Sequence, residues 1–516
     1  MTNKQIDNYK SRSQVYRFTS YIPSILIYSL LLAIIVLLPL FLWHLRKVNA
    51  VPFLGFTRLN GMPFEVFGGL ASFTIASITW FETKRRGYKS LQSIFPAIVG
   101  LLVSLNFLLN ISESTFDWRF RSDYIAFELG AKAIINGISP YINQETPYVY
   151  PPLVGQVMAF IYPIVTHIPF LPIDNEDQGW QIIFYLFQCC QFLLIILAYY
   201  LTYEFAKRMG LRSIPASIIV ASLFLFNNSV VRTLNFHQTN LWILNSFLIA
   251  FLVQKSYPFI SGFAVAIGIH IKLYPFILIL PWIAMRRWLL LMATSIGIVT
   301  IAILQTNFGR DWTLIKYFLD YMKNVSKPTP YRNNSINSVV YNLFKIPNKL
   351  SNTSFDIVPI VVAVITLGIL VWFTIRFIQR ERIYKELEKY ETSGNQDSWN
   401  EKFRFYGHSM DAIALGLLIS PSVFEHHYIV AIPVALWAII ARKSDKPIPI
   451  AVGIFLVFCV PTFDFFPISF HRLVGLIMIV YFTNPDSIRN YFLQQIRRSQ
   501  KLLDSNTSNA ELQREG

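Results

Sequence analysis

The chain carries a long series of apolar runs of 13 to 25 residues, against the roughly 20 an α-helix needs to cross about 30 Å of hydrocarbon. They fall at 22–43, 64–82, 93–112, 180–204, 214–229, 240–254, 258–271, 273–285, 288–305, 356–378, 407–421, 427–441, 448–464 and 468–483. Soluble domains do not possess the interior that so many runs would require. Of 516 residues, 54% are hydrophobic and only 14% charged, against roughly 25% charged in soluble domains. The expected fold is an all-α polytopic membrane protein with about 14 crossings. A disordered chain, a disulfide scaffold and a soluble nucleic-acid binder are all excluded by the same figures, so the lipid bilayer is the first partner and no nucleic acid is expected. Cys189, Cys190 and Cys459 all lie in apolar runs, where they read as lipid-facing or packing residues.

The formal net charge of +16 is explained first by topology. An even number of crossings puts both termini on one side. With that side cytoplasmic, the clusters Lys84/Arg85/Arg86, Lys207/Arg208, Arg286/Arg287 and Arg442/Lys443 all fall inside, as the positive-inside rule requires. The first run is too long for a signal-peptide core and reads as a retained anchor. The expected organisation is a cytoplasmic tail with three transmembrane helices (1–112), a first extracytoplasmic loop (113–179), a transmembrane core (180–305), a second outer loop (306–355), C-terminal transmembrane helices (356–483) and a polar cytoplasmic tail (484–516).

Within the first outer loop, Ser122 or Asp123 is placed to cap a short helix. Glu128 and Lys132 form an i,i+4 pair on it, and Gly137 ends it. The apolar stretch 151–170 reads as a re-entrant or interfacial helix. In the second outer loop Trp312, Ile315, Phe318 and Met322 recur at helical spacing, predicting an amphipathic helix on the membrane surface. The short runs on either side of Lys272 predict a broken hairpin with its apex toward the outer face.

Ionisable groups beside apolar spans are functional candidates, because hydrocarbon penalises an unpaired charge by at least a few kcal/mol. On this topology they gather on the outer face: Asp123; Gln238 and Asn240 behind His237; Lys272; Asn333, Asn334 and Ser335; Glu425, His426 and His427; His471 and Arg472. Asp123 reads either as a helix cap or as a base that accepts a proton from a hydroxyl. Lys272 and Arg472 read as interfacial anchors or as phosphate-binding groups. Gln238 and Asn240 suit helix–helix hydrogen bonding and substrate contact equally. Adjacent His426 and His427 lack the i,i+4 spacing of a helical metal site, so no metal and no cofactor is expected. Isolated His44, His167, His270 and His408 read as structural. No Walker loop or Rossmann fingerprint is present, so an activated donor would have to arrive in the membrane.

Read in order, these residues resemble glycosyltransferase family 87, membrane transferases of the GT-C type. The resemblance runs from about residue 113 to 480 and rests on five motifs. Asp123 is followed by Gly137, Pro140-Tyr141 and Tyr150-Pro151-Pro152. Then come His237-Gln238-Thr239-Asn240, Gly268 through Lys272 with Pro275, Asn333-Asn334-Ser335-Ile336-Asn337, and Ser420-Pro421 through His426-His427. Phe127, His237 and Phe424 depart from the usual Tyr, Gly and Trp.

The resemblance implies a GT-C-like transmembrane bundle with outer-face amphipathic and re-entrant helices. It implies transfer of a sugar, mannose first among them, from a polyprenyl-phosphate donor to a glycolipid or glycan acceptor. In that reading Asp123 is the general base of an inverting displacement, and Lys272 and Arg472 bind the donor phosphate. Tyr150, Gln238, Asn240, Asn334, Ser335, Glu425, His426 and His427 position the substrates. The cell membrane is the expected location, with both termini cytoplasmic and the site extracytoplasmic. A lipid-linked-sugar flippase or transporter, and a surface-polysaccharide polymerase or ligase, are the alternatives.

Overall fold

The computed structural model describes Trp118, Arg121, 123–141, 148–168, 175–324, 333–348, 358–389, 399–440, 447–460, Thr462, 467–486, 488–494 and 496–497. The expected spans 22–43, 64–82 and 93–112, the cap candidate Ser122, His44 and the cluster Arg442/Lys443 lie outside these residues. The chain divides into two compact units, Met1–Glu113 with Ser213–Leu225, and Ser114–Arg212 with Phe226–Gly516. Of the first, the described part is the helix Ser213–Leu225. The site belongs to the second.

Among the described residues the chain is helical, without strands. In order the α-helices are α1 (Tyr124–Ile135), α2 (Leu153–Thr166), α3 (Glu176–Arg208), α4 (Ser213–Leu225), α5 (Asn228–Asn235), α6 (Asn240–Val253), α7 (Pro258–Ile271), α8 (Ile279–Ala284), α9 (Trp288–Gln305) and α10 (Thr313–Asn324). They continue as α11 (Ile336–Asn348), α12 (Val358–Glu388), α13 (Trp399–Ile419), α14 (Ile432–Ile440), α15 (Pro447–Phe458) and α16 (His471–Phe482). Three of them, α3, α9 and α12, are each long and apolar enough to cross a membrane. The other apolar helices among the described residues are shorter or broken, so length alone does not establish fourteen crossings.

Several boundaries move for physical reasons. The run expected at 214–229 stops at Leu225, because the Asn227 side chain accepts from the backbone N–H groups of Ser229 and Val230 and starts α5. Helix α12 continues past the expected end at 378 to Glu388, and α13 begins at Trp399, before the expected span. The run 427–441 opens with a 3₁₀ helix, Glu425–Ala431, ahead of α14. The hairpin at Lys272 is present as a break: α7 ends there, and a 3₁₀ turn at Tyr274–Leu278 leads into α8.

Close packing follows from small residues. A Cβ on Gly262 of α7 would lie 2.5 Å from the Ala293 Cβ of α9, so only glycine permits this approach. Helices α1, α2, α3 and α10 enclose an aromatic cluster that includes Phe127, Tyr141, Tyr148, Tyr150, Phe184 and Phe187. The Glu128–Lys132 pair on α1 is present at 3.0 Å, and Gly137 beyond its end adopts φ +68°. The apolar positions expected on one stripe of α10 part company. Phe318 is buried against Tyr141, whereas Trp312 and Met322 are exposed. The face of α10 that meets the cluster is made by Tyr317, Phe318 and Tyr321.

A second buried feature ties α12, α13 and α16. Arg376 and Arg380 both pair with Asp411 at 2.7 Å, and Arg376 donates to the carbonyls of Val480 and Thr483. Beside them, Glu381 accepts from Arg404 and His408, each at 2.8 Å. His408, expected to be an isolated structural residue, is therefore part of a charged network. Removing one member of a buried pair leaves an uncompensated charge, so Asp411→Asn is expected to destabilise the protein by about 3–5 kcal/mol. Thermal unfolding in detergent measures this, and an unchanged midpoint would show that the pair adds no net stability.

Candidate active site

Asp123 occupies the N-cap position of α1, yet its carboxylate makes no capping hydrogen bond. It accepts instead from Gln238 Nε2, on the turn between α5 and α6. The side chain is therefore committed to another element rather than to its own helix.

The turn holding Gln238 is closed by backbone bonds from His237 N to Leu234 O and from Gln238 N to Thr233 O. To make it, His237 takes φ +56°, the left-handed region that favours glycine. An L side chain there is disfavoured by roughly 1–2 kcal/mol, offset here by burial of the ring against Phe184 at 5.2 Å. Gln191, inside α3, donates from Nε2 to the Gln238 carbonyl at 2.6 Å and pins the turn from the other side.

The other end of the Gln238 carboxamide gathers the remaining groups. Its Oε1 accepts from Tyr150 Oη at 3.0 Å and from Lys272 Nζ at 3.2 Å. The Lys272 ammonium also donates to Asn240 Oδ1 at 2.8 Å and lies 5.3 Å from the Tyr150 ring centroid. Gln238 and Asn240 are almost wholly buried, and Lys272 is 8% exposed. Burial and the nearby Asp123 carboxylate hold the Tyr150 phenol well above its ordinary range, so it acts as a donor. Tyr150 is itself fixed, because its carbonyl accepts from Tyr141 Oη at 3.0 Å and its ring packs on Phe127 at 4.7 Å.

His427 reaches the same cluster, with Nε2 3.3 Å from Lys272 Nζ. Its Nδ1 accepts the Phe424 backbone N–H at 3.1 Å. That bond fixes the ring proton on Nε2, so His427 and Lys272 face each other as two donors without a hydrogen bond between them, an arrangement suited to an anion. His426 turns away and stacks on Phe424 at 5.9 Å, with the two imidazoles 81° apart.

The remaining candidates form two supporting clusters. Glu425 pairs with Arg232 of α5 at 3.1 Å and lies 4.0 Å from Arg472. Arg472 is fully buried and donates to the Val460 carbonyl at 2.9 Å. Its contacts thus hold the segment carrying the histidines and do not join the Lys272 group. Asn333 accepts the N–H of Val423 at 2.8 Å, and Asn334 N donates to the Val423 carbonyl at 2.6 Å. The Ser335 hydroxyl caps α11 by accepting from Ser338 N at 3.2 Å. This trio anchors the stretch leading into Glu425. His471 Nδ1 donates locally to the Ile468 carbonyl at 2.9 Å.

Arg232 and Gln191 were not legible as members of the site. Arg232 sits in a short polar helix far in sequence from Glu425, and Gln191 is one polar residue in a long apolar helix. Beside the cluster runs an apolar cavity of about 820 Å³ between α2, α3, α6, α7 and α9. Its wall includes Phe187, Thr239, Trp242 and Ile271, and so adjoins Gln238, Asn240 and Lys272 along the chain. Among the described residues, the Thr239 hydroxyl, the Trp242 indole N–H and Gln305 Oε1 are buried polar atoms of this wall without hydrogen-bond partners.

A carboxylate, a buried ammonium and a lipid-compatible groove thus meet in one place. The sequence profile of glycosyltransferase family 87 matches residues 160–387, a stretch containing Gln238, Asn240, Lys272, Asn334 and Ser335, while Asp123, Tyr150, Glu425, His426, His427 and Arg472 lie outside it. No curated protein matches the chain. Through that matched stretch, which is less than half of its length, the chain is similar to glycosyltransferase family 87, a likeness that points to a membrane glycosyltransferase.

Proposed function

We propose that the protein transfers a single sugar from a polyprenyl-phosphate donor to a hydroxyl of a lipid or glycan acceptor on the outer face of the membrane. Mannose is the first donor sugar to test. The observation that carries this reading is the meeting of Asp123 and Lys272 at opposite ends of the Gln238 carboxamide, beside an apolar groove. A GT-C-like bundle of about 14 crossings with cytoplasmic termini is part of the same proposal.

The chemistry follows from charge. Asp123 takes the proton of the acceptor hydroxyl, and the oxygen forms a bond to the anomeric carbon as the bond from that carbon to the phosphate oxygen breaks. In-line attack inverts the anomeric centre. The donor is a phosphodiester with one negative charge, and polyprenyl phosphate leaves as a monoester able to carry two. Lys272 and the His427 N–H face this growing charge, where a preorganised donor contributes most. The departing phosphate needs no general acid. Arg472 acts at a distance, through Glu425, by holding the histidine segment.

The groove suits the prenyl chain, and each methylene it buries contributes about 0.8 kcal/mol. Cys190 lines it on α3 and is exposed. Cys190→Trp is expected to lower kcat/KM for a long-chain donor about tenfold, the equivalent of two displaced methylenes. A short prenyl donor should be little affected, and equal loss with both donors would remove the groove from the account.

The function itself is tested by incubating purified protein with polyprenyl-phosphate mannose and membrane glycolipid extract, then reading lipid masses. A gain of one hexose supports the proposal. Translocation of lipid-linked sugar without a mass gain would favour a transporter, and transfer of whole oligosaccharides from a lipid diphosphate would favour a polymerase or ligase.

A further inference from the structure

The carboxamide of Gln238 does more than join two helices. Its nitrogen end donates to Asp123, and its oxygen end accepts from both Lys272 and Tyr150. The orientation is chemically forced, because a carboxylate takes only donors and an ammonium only acceptors. Lys272 donates to the amide and to Asn240, and the ion pairs among the described residues include none between it and Asp123, although the two charges attract. Gln238 is held in place by its own backbone bonds to Thr233 and Gln191, so it cannot drift aside.

We infer that Gln238 is an insulating spacer, a positioning residue that keeps the carboxylate of Asp123 from collapsing onto Lys272 and so preserves one as a base and the other as a phosphate-facing cation. This rests on the reading of Asp123 as the base. A direct ion pair would disable both groups together. The carboxylate would become a weaker base, and the ammonium would already be neutralised when the leaving phosphate gains its charge. A neutral amide does what neither a charged nor an apolar residue can, since it satisfies both partners without altering the charge of either. The titratable groups that the structure sets against this cluster are Asp123, Tyr150, Lys272, His426 and His427, and the variants below leave all five in place.

Two variants pull the base in opposite directions. Gln238→Met keeps the length of the side chain but removes both hydrogen-bonding ends, letting Asp123 and Lys272 approach each other. The acidic limb of the pH profile of kcat/KM is expected to move to lower pH by about one unit or more, with turnover at neutral pH reduced roughly tenfold to a hundredfold. Gln238→Glu puts a second carboxylate against Asp123. Like charges then share a proton, and the same limb is expected to move up by about one unit or more. Gln238→Asn, which retains the amide on a shorter arm, should hold the limb near its native position even where turnover falls. Melting temperature and donor binding, measured for each variant in detergent, identify any loss due to misfolding.

A residue that merely braced the helices would lower stability or turnover without shifting the limb in opposite senses. Acidic limbs that coincide with the native one in both Gln238→Met and Gln238→Glu would overturn the spacer. Failure of the underlying reading looks different: Asp123→Asn would then keep its turnover. An inactive Asp123→Asn with unshifted Gln238 variants therefore overturns the spacer alone.

Discussion

Asp123→Asn is expected to lower turnover by about 10²–10⁴-fold, the contribution typical of a positioned general base, while donor affinity and folding stay close to native. The expectation is specific because the substitution is nearly isosteric. An Asn oxygen still accepts from Gln238 Nε2, so the bond that now orients the carboxylate survives. Only the ability to take a proton is lost. Since the Asp123 side chain makes no capping bond, α1 should not unravel when its charge is removed. Kinetics with saturating donor, together with a separate donor-binding measurement, distinguish this outcome from simple destabilisation. Native turnover in the variant would show that Asp123 is not the base.

Lys272→Met carries the second large effect. The ammonium is held by Gln238 Oε1 and Asn240 Oδ1 at 3.2 and 2.8 Å, buried at the end of α7, and next to the groove wall at Ile271. Removing a preorganised positive group from the place where charge develops lowers kcat by about 10²–10³-fold in comparable sites. The loss should fall mainly on kcat, because the leaving phosphate gains charge only as the bond breaks. Lys272→Arg should not restore full activity, since a planar guanidinium cannot occupy the same point between two amide oxygens and an imidazole. Unchanged donor affinity and unchanged rate in Lys272→Met would return this residue to the role of an interfacial anchor.

The centre of the site was legible because polar residues stand out against apolar runs. Asp123, Gln238, Asn240 and Lys272 could be read from their placement beside spans, and the structure brings them into hydrogen-bond contact across 115 residues for Asp123 and Gln238 and 32 for Asn240 and Lys272. Orientation was not legible. Sequence placed Arg472 with Lys272 as a second phosphate group, whereas its burial and its contacts with Glu425 and Val460 assign it to support. His426 and His427 were read as equals, yet a 3₁₀ segment directs only the second toward Lys272. Ser335 was read as a substrate contact, and its hydroxyl instead caps α11.

The fold was legible in the same uneven way. Hydropathy marks where apolar helices lie, as in α7 and α9, but not where a capping Asn227 interrupts one. Nor does it reveal pairing between helices. Arg376, Arg380 and Asp411 satisfy one another in the folded chain, and in sequence they resemble ordinary charges near the end of a span. That His237 stands at a position suited to glycine becomes intelligible only once its backbone angle is known.

The central claim is that one new glycosidic bond forms for each donor consumed, by direct displacement at this site. The most direct test is a reconstitution of the purified protein in liposomes, with a donor labelled separately in its sugar and in its polyprenyl phosphate. Sugar gained by the acceptor and polyprenyl phosphate released are then counted together, and the anomeric configuration of the product is determined. The account expects equal amounts of the two, an inverted anomeric centre, and neither product with Asp123→Asn. Sugar label that crosses the bilayer still attached to its phosphate, with no bond to an acceptor, would contradict it.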